Sequence, residues 1–423
     1  MIKKFHTVIC GSGPAGLAAA LASINAKRRT LLLEKNPEAG RKLLASGSGK
    51  CNFSNNLPED VFMSSFGRNG RFMTEALRFF GQEKLLEYLR SKHVPSVLVE
   101  ERFYFPASLK AADIRDAFLK PALDGGLIFK SGIAAKHLLL EDKRIAGVEL
   151  ADGTQIACQK VILASGGNAM PQLGASSSGL ALAQEAGHTI VPPLPAMAPL
   201  CLAQAWTKEL SGISLPDAEL FLSCGNTSLK SRGTLLFTHD GISGMAALNL
   251  SDTAYRMWQK KPQKVKITLN FSAEKSLSDW DKIIASARAE NQDKLLKTAL
   301  SSFFPKALAF QICRVCGLEN HRLKDLKVQE KELLLRHLCA MPLVIEKLCP
   351  MEKAMAMSGG VSLKEINPAD MSSRLCKGLF FAGEIMDLTG PCGGFNIQFA
   401  FSSGMLAGAA DAENSSYQKT ASC

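Results

Sequence analysis

The sequence lacks an uncharged apolar stretch long enough to cross a bilayer, because its most apolar region, near the C-terminus, is interrupted by Glu384 and Asp387. It also lacks a cysteine framework, since its 12 cysteines follow no regular spacing. Unpatterned cysteines are typical of a reducing cytoplasm and not of a disulfide-rich secreted domain. Internal repeats and low-complexity tracts are absent as well. We therefore expect a cytoplasmic protein without a membrane segment, and we assign it no metal site.

A dense basic patch is missing too. The 423 residues carry a formal net charge of +11, yet the basic side chains are dispersed. The nearest approach to a cluster, residues 260–266, has no aromatic residues between its lysines. This distribution favours a basic surface around an anionic cofactor over a nucleic-acid partner. The length and an apolar content of 46% predict two or three globular domains.

The first residues imitate a secretory signal, since Lys3 and Lys4 precede an apolar stretch that reaches Ala22. Glycines and Pro14 interrupt the apolar core that such a signal needs. A nucleotide-binding turn explains the same residues, so we interpret them as part of the folded protein.

The most informative pattern is a strand, a glycine turn, a helix and a second strand that ends in an acid. Residues 5–9 and 30–33 are the apolar runs, and Glu34 follows the second. Between them, Gly11 permits a tight turn, Gly13 lets the backbone approach a pyrophosphate, and Gly16 lets the helix pack on the strand. The helix start offers free amides to phosphates, and Glu34 accepts from ribose hydroxyls. The pattern predicts an adenine dinucleotide site.

A related pattern lies near the C-terminus. The apolar residues 378–382 predict a buried strand that ends in Gly383 and Glu384. A glycine-rich loop, residues 390–394, then opens a helix predicted over 395–410. A carboxylate suits the ribityl hydroxyls of a flavin, and a helix start suits the ring edge that becomes negative on reduction. The alternative is an ordinary strand–turn–helix crossover.

Three further segments are candidates for chemistry. The loop 40–52 combines glycine and serine with Arg41, Lys42 and Lys50, which can meet phosphate charge. The turn 164–167 closes a strand and either passes under the nucleotide or is an ordinary tight turn. His239 lies in a glycine-rich turn, where it is a candidate proton donor, although a solvated loop histidine is the commoner finding.

The alternation of strand and helix signals predicts an α/β fold in which a split nucleotide-binding domain carries two inserts. Residues 72–89 and 108–123 predict helices of the first part, the second with Ser108 as N-cap. Short β-type runs then predict an antiparallel β-domain, and a helical period follows. The predicted boundaries are 1–190 and 358–423 for the split domain, 191–272 for the β-domain, 273–339 for the helical insert, and 340–357 for a return to the β-domain.

Together these segments resemble the BaiN-like family of FAD-binding oxidoreductases, also called the aminoacetone-oxidase or YhiN-type family. The resemblance covers nearly the whole chain and is most specific in its last motif, residues 381–398. It implies a glutathione-reductase-type FAD domain of Rossmann-like topology, with an inserted small antiparallel β-barrel and a helical subdomain. It also implies FAD as cofactor. The sequence has no second glycine triplet for a dedicated nicotinamide domain, so NAD(P)H, if it is the reductant, has to dock transiently as a co-substrate. The cofactor-binding residues that it implies are Gly11, Gly13, Pro14, Ala15, Gly16, Glu34, Lys35, Arg41, Lys42, Cys51, Ala134, Ala164, Ser165, Gly166, Gly383, Glu384, Asn396, Ile397 and Gln398.

The substrate is less well defined, because residues 168–170 and 176–178 depart from the family pattern where a substrate or the flavin face is lined. The first hypothesis is an FAD-dependent oxidoreductase that moves hydride through flavin N5 and acts on a small organic molecule, by reduction of a conjugated ketone or oxidation of an amine. Its rivals are a flavoprotein that modifies RNA and a non-catalytic flavin-binding sensor or scaffold. Cys313 and Cys316 form a possible redox pair, but packing in the helical insert is the simpler interpretation.

Overall fold

The computed structural model describes residues 3–412. The chain divides into two compact units. The split unit consists of residues up to Leu194 together with those from Ala356 onward, and the inserted unit consists of Pro195–Met355.

The longest of the described strands are β12 and β13, which form a hairpin in the inserted unit. In chain order they are β1 (Lys3–Cys10), β2 (Thr30–Glu34), β3 (Ser54–Asn55), β4 (Ser96–Val99), β5 (Phe103–Pro106), β6 (Ile128–Ser131), β7 (Ala135–Glu141), β8 (Arg144–Leu150), β9 (Gln155–Leu163), β10 (Ile190–Ala196), β11 (Leu200–Leu202), β12 (Ser214–Cys224), β13 (Thr227–Thr238), β14 (Gly241–Ser243), β15 (Lys266–Asn270), β16 (Met341–Leu343), β17 (Ile345–Lys347), β18 (Ala356–Val361) and β19 (Leu379–Phe381).

The α-helices range from one turn to about four turns. In chain order they are α1 (Pro14–Asn25), α2 (Arg41–Ala45), α3 (Glu59–Ser64), α4 (Thr74–Phe80), α5 (Gln82–Ser91), α6 (Ala111–Asp124), α7 (Ser178–Glu185), α8 (Ala205–Lys208), α9 (Met245–Lys260), α10 (Leu277–Glu290), α11 (Leu296–Leu300), α12 (Lys306–Val315), α13 (Val328–Ala340) and α14 (Phe395–Ala409).

The split unit is built on a sheet with the order β6-β2-β1-β9-β8-β7, and β19 also pairs with β9. β6, β2, β1, β9 and β19 run parallel. Cys10, Leu33 and Leu163 are in register at the ends of β1, β2 and β9, and Phe381 pairs with Leu163. The carboxyl ends of these strands therefore meet at one edge, where ligands bind in sheets of this kind. The turn after β1, Glu34 at the end of β2, and the loops after β9 and β19 all lie along this edge.

Close contact between two apolar helices completes this part of the fold. α1 and α14 contain no charged residue and are largely buried. A Cβ on Gly404 of α14 would lie 2.2 Å from the carbonyl oxygen of Ala15, and one on Gly408 would lie 2.4 Å from that of Ala19. Only glycine allows this spacing, so α1 and α14, the first and last helices within residues 3–412, pack with their backbones in contact.

A smaller sheet, β3-β5-β4, belongs to the segment between β2 and β6, together with α3, α4 and α5. Buried aromatic side chains on and just after α3 pack near the start of α14. Phe62 and Phe66 contact Phe395, with ring centroids 4.9 and 6.0 Å apart respectively.

The inserted unit contains an antiparallel sheet with the order β16-β15-β12-β13-β14-β11-β17. This order has two ends, β16 and β17, so the sheet is a half-barrel. α9 follows β14, and α10 to α13 form the helical part between β15 and β16. Trp280 is fully buried there and stacks on Phe304 at 5.3 Å between ring centroids.

The predicted fold class is confirmed: a Rossmann-like α/β domain with an antiparallel β insert and a helical insert. Three local expectations were wrong. The helix predicted over 72–89 is interrupted at Gly81, because the backbone turns there to an extended ψ of −169°. The helix predicted from Ser108 begins at Ala111, although the Ser108 hydroxyl does accept from the Lys110 amide at 3.3 Å. α9 was missed, because residues 245–260 were interpreted as part of the β-domain.

Within residues 3–412, none of the helices has both the length and the apolar character that a bilayer crossing demands.

Candidate cofactor site

The turn between β1 and α1 has one crowded side and one open side. Gly11 has a φ of +104°, and a Cβ on it would lie 2.6 Å from the carbonyl oxygen of Ala164. A Cβ on Gly16 would lie 1.8 Å from the carbonyl oxygen of Gly11. A Cβ on Gly13, by contrast, would have no atom within 4 Å. Gly13 caps α1 and Pro14 begins it, so the open side coincides with the free amides of a helix start.

Glu34 is held in one orientation by four hydrogen bonds. The amide and hydroxyl of Ser12 donate to its Oε2 at 3.0 and 2.5 Å. The amide and side-chain nitrogen of Asn36 donate to its Oε1 at 2.9 and 2.8 Å. Glu34 is buried, at 8% exposure. A carboxylate has about four acceptor positions, so a ribose hydroxyl that binds Glu34 has to replace one of these donors.

Two basic residues lie beside this carboxylate network. Arg41 donates to the Oδ1 of Asn36 at 3.3 Å, which ties α2 to the same group. Lys35 donates to the hydroxyl of Ser176 at 2.6 Å. Partial burial lowers the pKa of Lys35, and the neighbouring Glu34 opposes that shift. Ser176 belongs to the stretch that departs from the family pattern, so this contact is one that the resemblance does not supply.

Lys42 and Glu384 form an ion pair between the two halves of the split unit. The Lys42 Nζ lies 3.0 and 2.8 Å from the two carboxylate oxygens, and both side chains remain partly exposed. The amide of Met357 also donates to Glu384 Oε1 at 2.8 Å. A Cβ on Gly166 would lie 3.6 Å from Glu384 Oε2, so the turn after β9 passes directly beside this carboxylate. The structure thus brings Lys42, Gly166 and Glu384 together.

The loop before α14 is fixed by side chains from three places. The hydroxyl of Ser403 accepts from the Gly383 amide at 3.0 Å. Asn396 accepts from the Gly390 amide at 2.8 Å and donates to the Gly390 carbonyl at 2.9 Å. Asn55, which is fully buried, donates to the Gly393 carbonyl at 2.8 Å. The start of α14 is therefore rigidly positioned before any ligand binds.

Gly394, the residue that caps α14, has a crowded Cα. Its φ is +81°, and a Cβ would lie 2.5 Å from the carbonyl oxygen of Ser54. The left-handed backbone and the close approach both require glycine. This start differs from that of α1, where the Gly13 Cα faces open space.

Two cysteines in the loops of these motifs are protonated thiols. Cys51 lies in a loop, is fully buried and has a backbone φ of +61°. Burial raises the pKa of its thiol to about 12. Burial also raises the pKa of Cys392 to about 12. The thiolate is the nucleophile in thiol chemistry, so neither side chain is suited to disulfide exchange.

The remaining predicted residues lie in different settings. Ala134 follows β6, and its carbonyl accepts from the Ala151 amide at 2.9 Å. Ile397 is half-buried in the first turn of α14, whereas the Gln398 side chain is buried and donates to the Phe80 carbonyl at 3.4 Å. The Gln398 amide nitrogen donates to the Gly394 carbonyl at 3.1 Å, whereas its side-chain Oε1 is buried without a hydrogen-bond partner among the described residues. His239 is exposed in the turn between β13 and β14 of the inserted unit.

The arrangement fits a dinucleotide that carries a second ring system. The open face of Gly13 leaves room for a pyrophosphate, and Glu34 and Glu384 lie at the ends of parallel strands on the same sheet edge. Sequence reasoning missed the residues that hold these groups: Ser12, Asn36, Asn55, Met357 and Ser403. Ser12 and Asn36 had a signal, since each lies next to a predicted contact, and Asn55 lies in a motif of the family resemblance.

Known proteins are similar to this chain over nearly its whole length. The profile of a family described as HI0933-like protein Rossmann domain matches residues 5–410. The chain is 30% identical over 413 residues to the 3-dehydro-bile acid delta(4,6)-reductase of Clostridium scindens, covering 96% of this chain and 98% of that protein. It is 29% identical over 406 residues to the ribosomal RNA dihydrouridine synthase of Escherichia coli, covering 95% and 96%.

Solved structures share the fold at lower identity. The open conformation of a flavocytochrome c3 fumarate reductase aligns with a TM-score of 0.53 at 15% identity, covering 97% of this chain and 78% of that one. The 3-ketosteroid delta1-dehydrogenase of Sterolibacterium denitrificans aligns with a TM-score of 0.52 at 12% identity, covering 96% and 99%.

Proposed function

The chain belongs to the HI0933-like family of FAD-dependent Rossmann proteins, and we propose that it reduces a carbon–carbon double bond conjugated to a carbonyl group in a small organic substrate. Membership of this family confirms the resemblance drawn from the sequence, and the protein is an FAD-dependent oxidoreductase. The proposal concerns the substrate, the reductant and the residues that act on them.

One observation about the relatives supports this reaction above others. Their names describe different molecules, a 3-dehydro-bile acid and a uridine of ribosomal RNA, but both describe saturation of a ring double bond. In each, the double bond is conjugated to a carbonyl, which accepts negative charge when hydride adds at the far carbon. Amine oxidation, which the sequence left open, has no counterpart in these names.

The site is consistent with direct transfer and not with a thiol relay. Cys51 and Cys392 are held as thiols by burial, so electrons have no dithiol to pass through beside α14. FAD bound here would supply hydride at its N5 atom. Gly13 and the start of α1 would hold the pyrophosphate, Glu34 the ribose, and Glu384 with Lys42 the ribityl and phosphate groups. The amides at the start of α14 would stabilise negative charge on the ring edge.

The reaction also needs a proton for the second carbon, and we assign this to His239. It is exposed, so it can recover a proton from water, and histidine is the side chain that most often acts as a general acid. Replacing it as His239→Gln should lower kcat by about 10²-fold or more. FAD content and the rate of flavin reduction should not change. His137→Gln, at another exposed histidine, is the control.

The reductant is proposed to be NADH or NADPH. An anaerobic titration of the FAD-loaded protein with each, followed by flavin absorbance, should bleach the flavin with one of them. Subsequent addition of a cyclic enone should restore the absorbance. If neither nucleotide bleaches the flavin, and chemically reduced protein passes electrons to no acceptor, the non-catalytic sensor is the better hypothesis.

A uridine base in ribosomal RNA is the second candidate substrate. The names of the Escherichia coli and Haemophilus influenzae relatives favour it, and the net charge of +11 permits it. Deleting the gene and measuring dihydrouridine in ribosomal RNA by mass spectrometry separates the two candidates. Loss of the modified base, with RNA binding that weakens steeply as salt rises, would replace the small-molecule proposal.

A further inference from the structure

Two cysteines of the inserted unit are neighbours in space although they are far apart in sequence. Cys201 lies on β11 and pairs across the sheet with Lys347 of β17. Cys349 follows two residues later, and its thiol hydrogen bonds to that of Cys201. Both are free thiols, and they are only 1% and 3% exposed. Neither belongs to the cofactor motifs.

The surroundings of the two thiols differ. The hydrogen bond from Cys349 lowers the pKa of Cys201 below its ordinary value, assisted by Tyr255 and Lys347, whereas burial and Asp240 oppose this shift. The same hydrogen bond raises the pKa of Cys349. Asp240 is itself paired with Lys353. The Tyr255 hydroxyl accepts from the Cys201 amide at 3.2 Å and donates to the Pro199 carbonyl at 2.5 Å, which fixes the backbone around Cys201.

The two cysteines lie near the points at which the chain enters and leaves the inserted unit. The chain enters the inserted unit at Pro195 and leaves it at Met355. Cys201 lies six residues after the entry, and Cys349 lies six residues before the exit. The two segments already touch, because the Met355 amide donates to the Met197 carbonyl at 3.1 Å. A bond between the two sulfurs would join the incoming and outgoing segments covalently.

We propose that Cys201 and Cys349 are a peroxide-sensitive dithiol that closes to a disulfide and cross-links the two segments that lead into and out of the inserted unit. The Cys201 thiolate attacks a peroxide oxygen, so an S–O bond forms, the O–O bond breaks, and the departing oxygen takes up a proton. The Cys349 thiol then attacks the sulfenic sulfur, the S–S bond forms, and water leaves. Two thiols are oxidised and one peroxide is reduced.

The burial of the pair selects the oxidant. Hydrogen peroxide is close to water in size and can reach a nearly buried sulfur, whereas a bulky disulfide such as oxidised glutathione cannot reach it in the folded protein. The pair Cys313 and Cys316, on and just after α12, makes a useful contrast. Burial raises their pKa values to about 12 and about 11, so both stay protonated and respond slowly to peroxide.

The test uses the full-length, FAD-loaded protein. It is treated with hydrogen peroxide or with oxidised glutathione, then alkylated and digested without reduction, and the peptides are mapped by mass spectrometry. Peroxide should remove two of the 12 thiols, produce a 201–349 cross-linked peptide, and lose that peptide after dithiothreitol. Oxidised glutathione should leave the pair reduced. A cross-link elsewhere, or continued alkylation of Cys201 and Cys349 after peroxide treatment, overturns the proposal.

Three variants assign the steps. Cys349→Ser should leave a sulfenic acid on Cys201 that dimedone labels, and Cys201→Ser should abolish the fast peroxide reaction. The double variant of Cys313 and Cys316 to serine is the matched control and should keep the 201–349 cross-link. The peptide mapping of the unmodified protein decides the proposal even if a serine variant does not fold.

Discussion

α1 and α14 are alike in composition, yet their two ends are built differently. Both have a glycine as N-cap and contain no charged residue. The start of α1 is open at Gly13, whereas the start of α14 is closed against Ser54 at Gly394. The end of α1 has no basic residue in its last turn, whereas the carbonyls that end α14 accept from Arg28 and Lys160. The open start of α1 leaves room for a ligand group, such as a pyrophosphate, to pack against the Gly13 backbone. At the closed start of α14, a ligand group such as the flavin ring edge can contact only the free amides.

The largest effect is expected at the turn before α1, where neighbouring glycines have opposite surroundings. Gly16→Ala places a Cβ 1.8 Å from a carbonyl oxygen and should destabilise the protein by about 3 kcal/mol or more. Gly13→Ala meets no atom and should alter stability by less than about 1 kcal/mol. It should still weaken FAD binding about tenfold, or 1.4 kcal/mol, because a methyl group occupies the open face.

Thermal unfolding and titration of the apoprotein with FAD measure these two quantities separately. If Gly13→Ala binds FAD as tightly as the unmodified protein, the open face does not receive the pyrophosphate, and the contrast between the helix starts loses its meaning.

The second effect concerns the closed start. Gly394→Ala combines a left-handed backbone with a contact of 2.5 Å, and should cost about 2–4 kcal/mol of stability. Gly187→Ala is the matched control, because Gly187 has a φ of +89° but no atom within 4 Å of its Cβ position. It should cost only the backbone part, about 1–2 kcal/mol. Equal urea midpoints for the two variants would show that Ser54 does not crowd Gly394.

The third effect tests whether the Lys42–Glu384 pair serves binding more than stability. The pair is partly exposed, so Glu384→Gln or Lys42→Met should change stability by less than about 1 kcal/mol. Each should weaken FAD binding about tenfold, and the double variant should lose less than the sum, because the groups act on each other. Strictly additive losses in FAD affinity would indicate that the two residues bind the ligand independently.

The last effect lies at the end of α14 and depends on pH. Lys160 is fully buried and donates to the carbonyls of Ala407 and Ala410 at 2.5 and 2.6 Å. Burial, with Arg28 nearby, lowers its pKa to about 7 from an ordinary 10.5. Above pH 7 the unfolded chain therefore binds a proton that the folded chain does not. The Lys160 contribution to stability should rise between pH 7 and pH 10.5, by at most about 1.4 kcal/mol per pH unit.

Lys160→Met should remove this rise. Urea unfolding at pH 7 and pH 8 gives the comparison, since the difference between the two proteins cancels the other titrating groups. A pH dependence shared by both proteins would mean that Lys160 stays charged throughout.

How far the sequence could be read differs between these same helices. The strand–turn–helix pattern of residues 5–34 located α1, β2 and Glu34, because each glycine there has a local task. The start and end of α14 were also located. The packing of Gly404 and Gly408 against α1 was not predicted, because contact between two helices that are far apart in sequence leaves no periodic pattern in either one. For the same reason Asn55 was not assigned to the loop at Gly393, although the two lie 2.8 Å apart.

Other misses have local causes. α9 was hidden because small and polar residues such as Asn249 and Thr253 weaken its helical period. A single helix was expected over 72–89 because the amphipathic pattern continues across Gly81. The helical backbone, however, is interrupted at that residue. The thiol pair of Cys201 and Cys349 depends on strand pairing across about 150 residues, which no spacing in the sequence reveals.

The backbone contact between α1 and α14 also limits the order in which the parts of the protein can fold during synthesis. During synthesis the first helix leaves the ribosome more than 370 residues before the last one. Until then the Ala15 and Ala19 faces of α1 have no partner, while the whole inserted unit has already emerged. The inserted unit is therefore free to fold first, and the split unit is completed only after α14 has emerged.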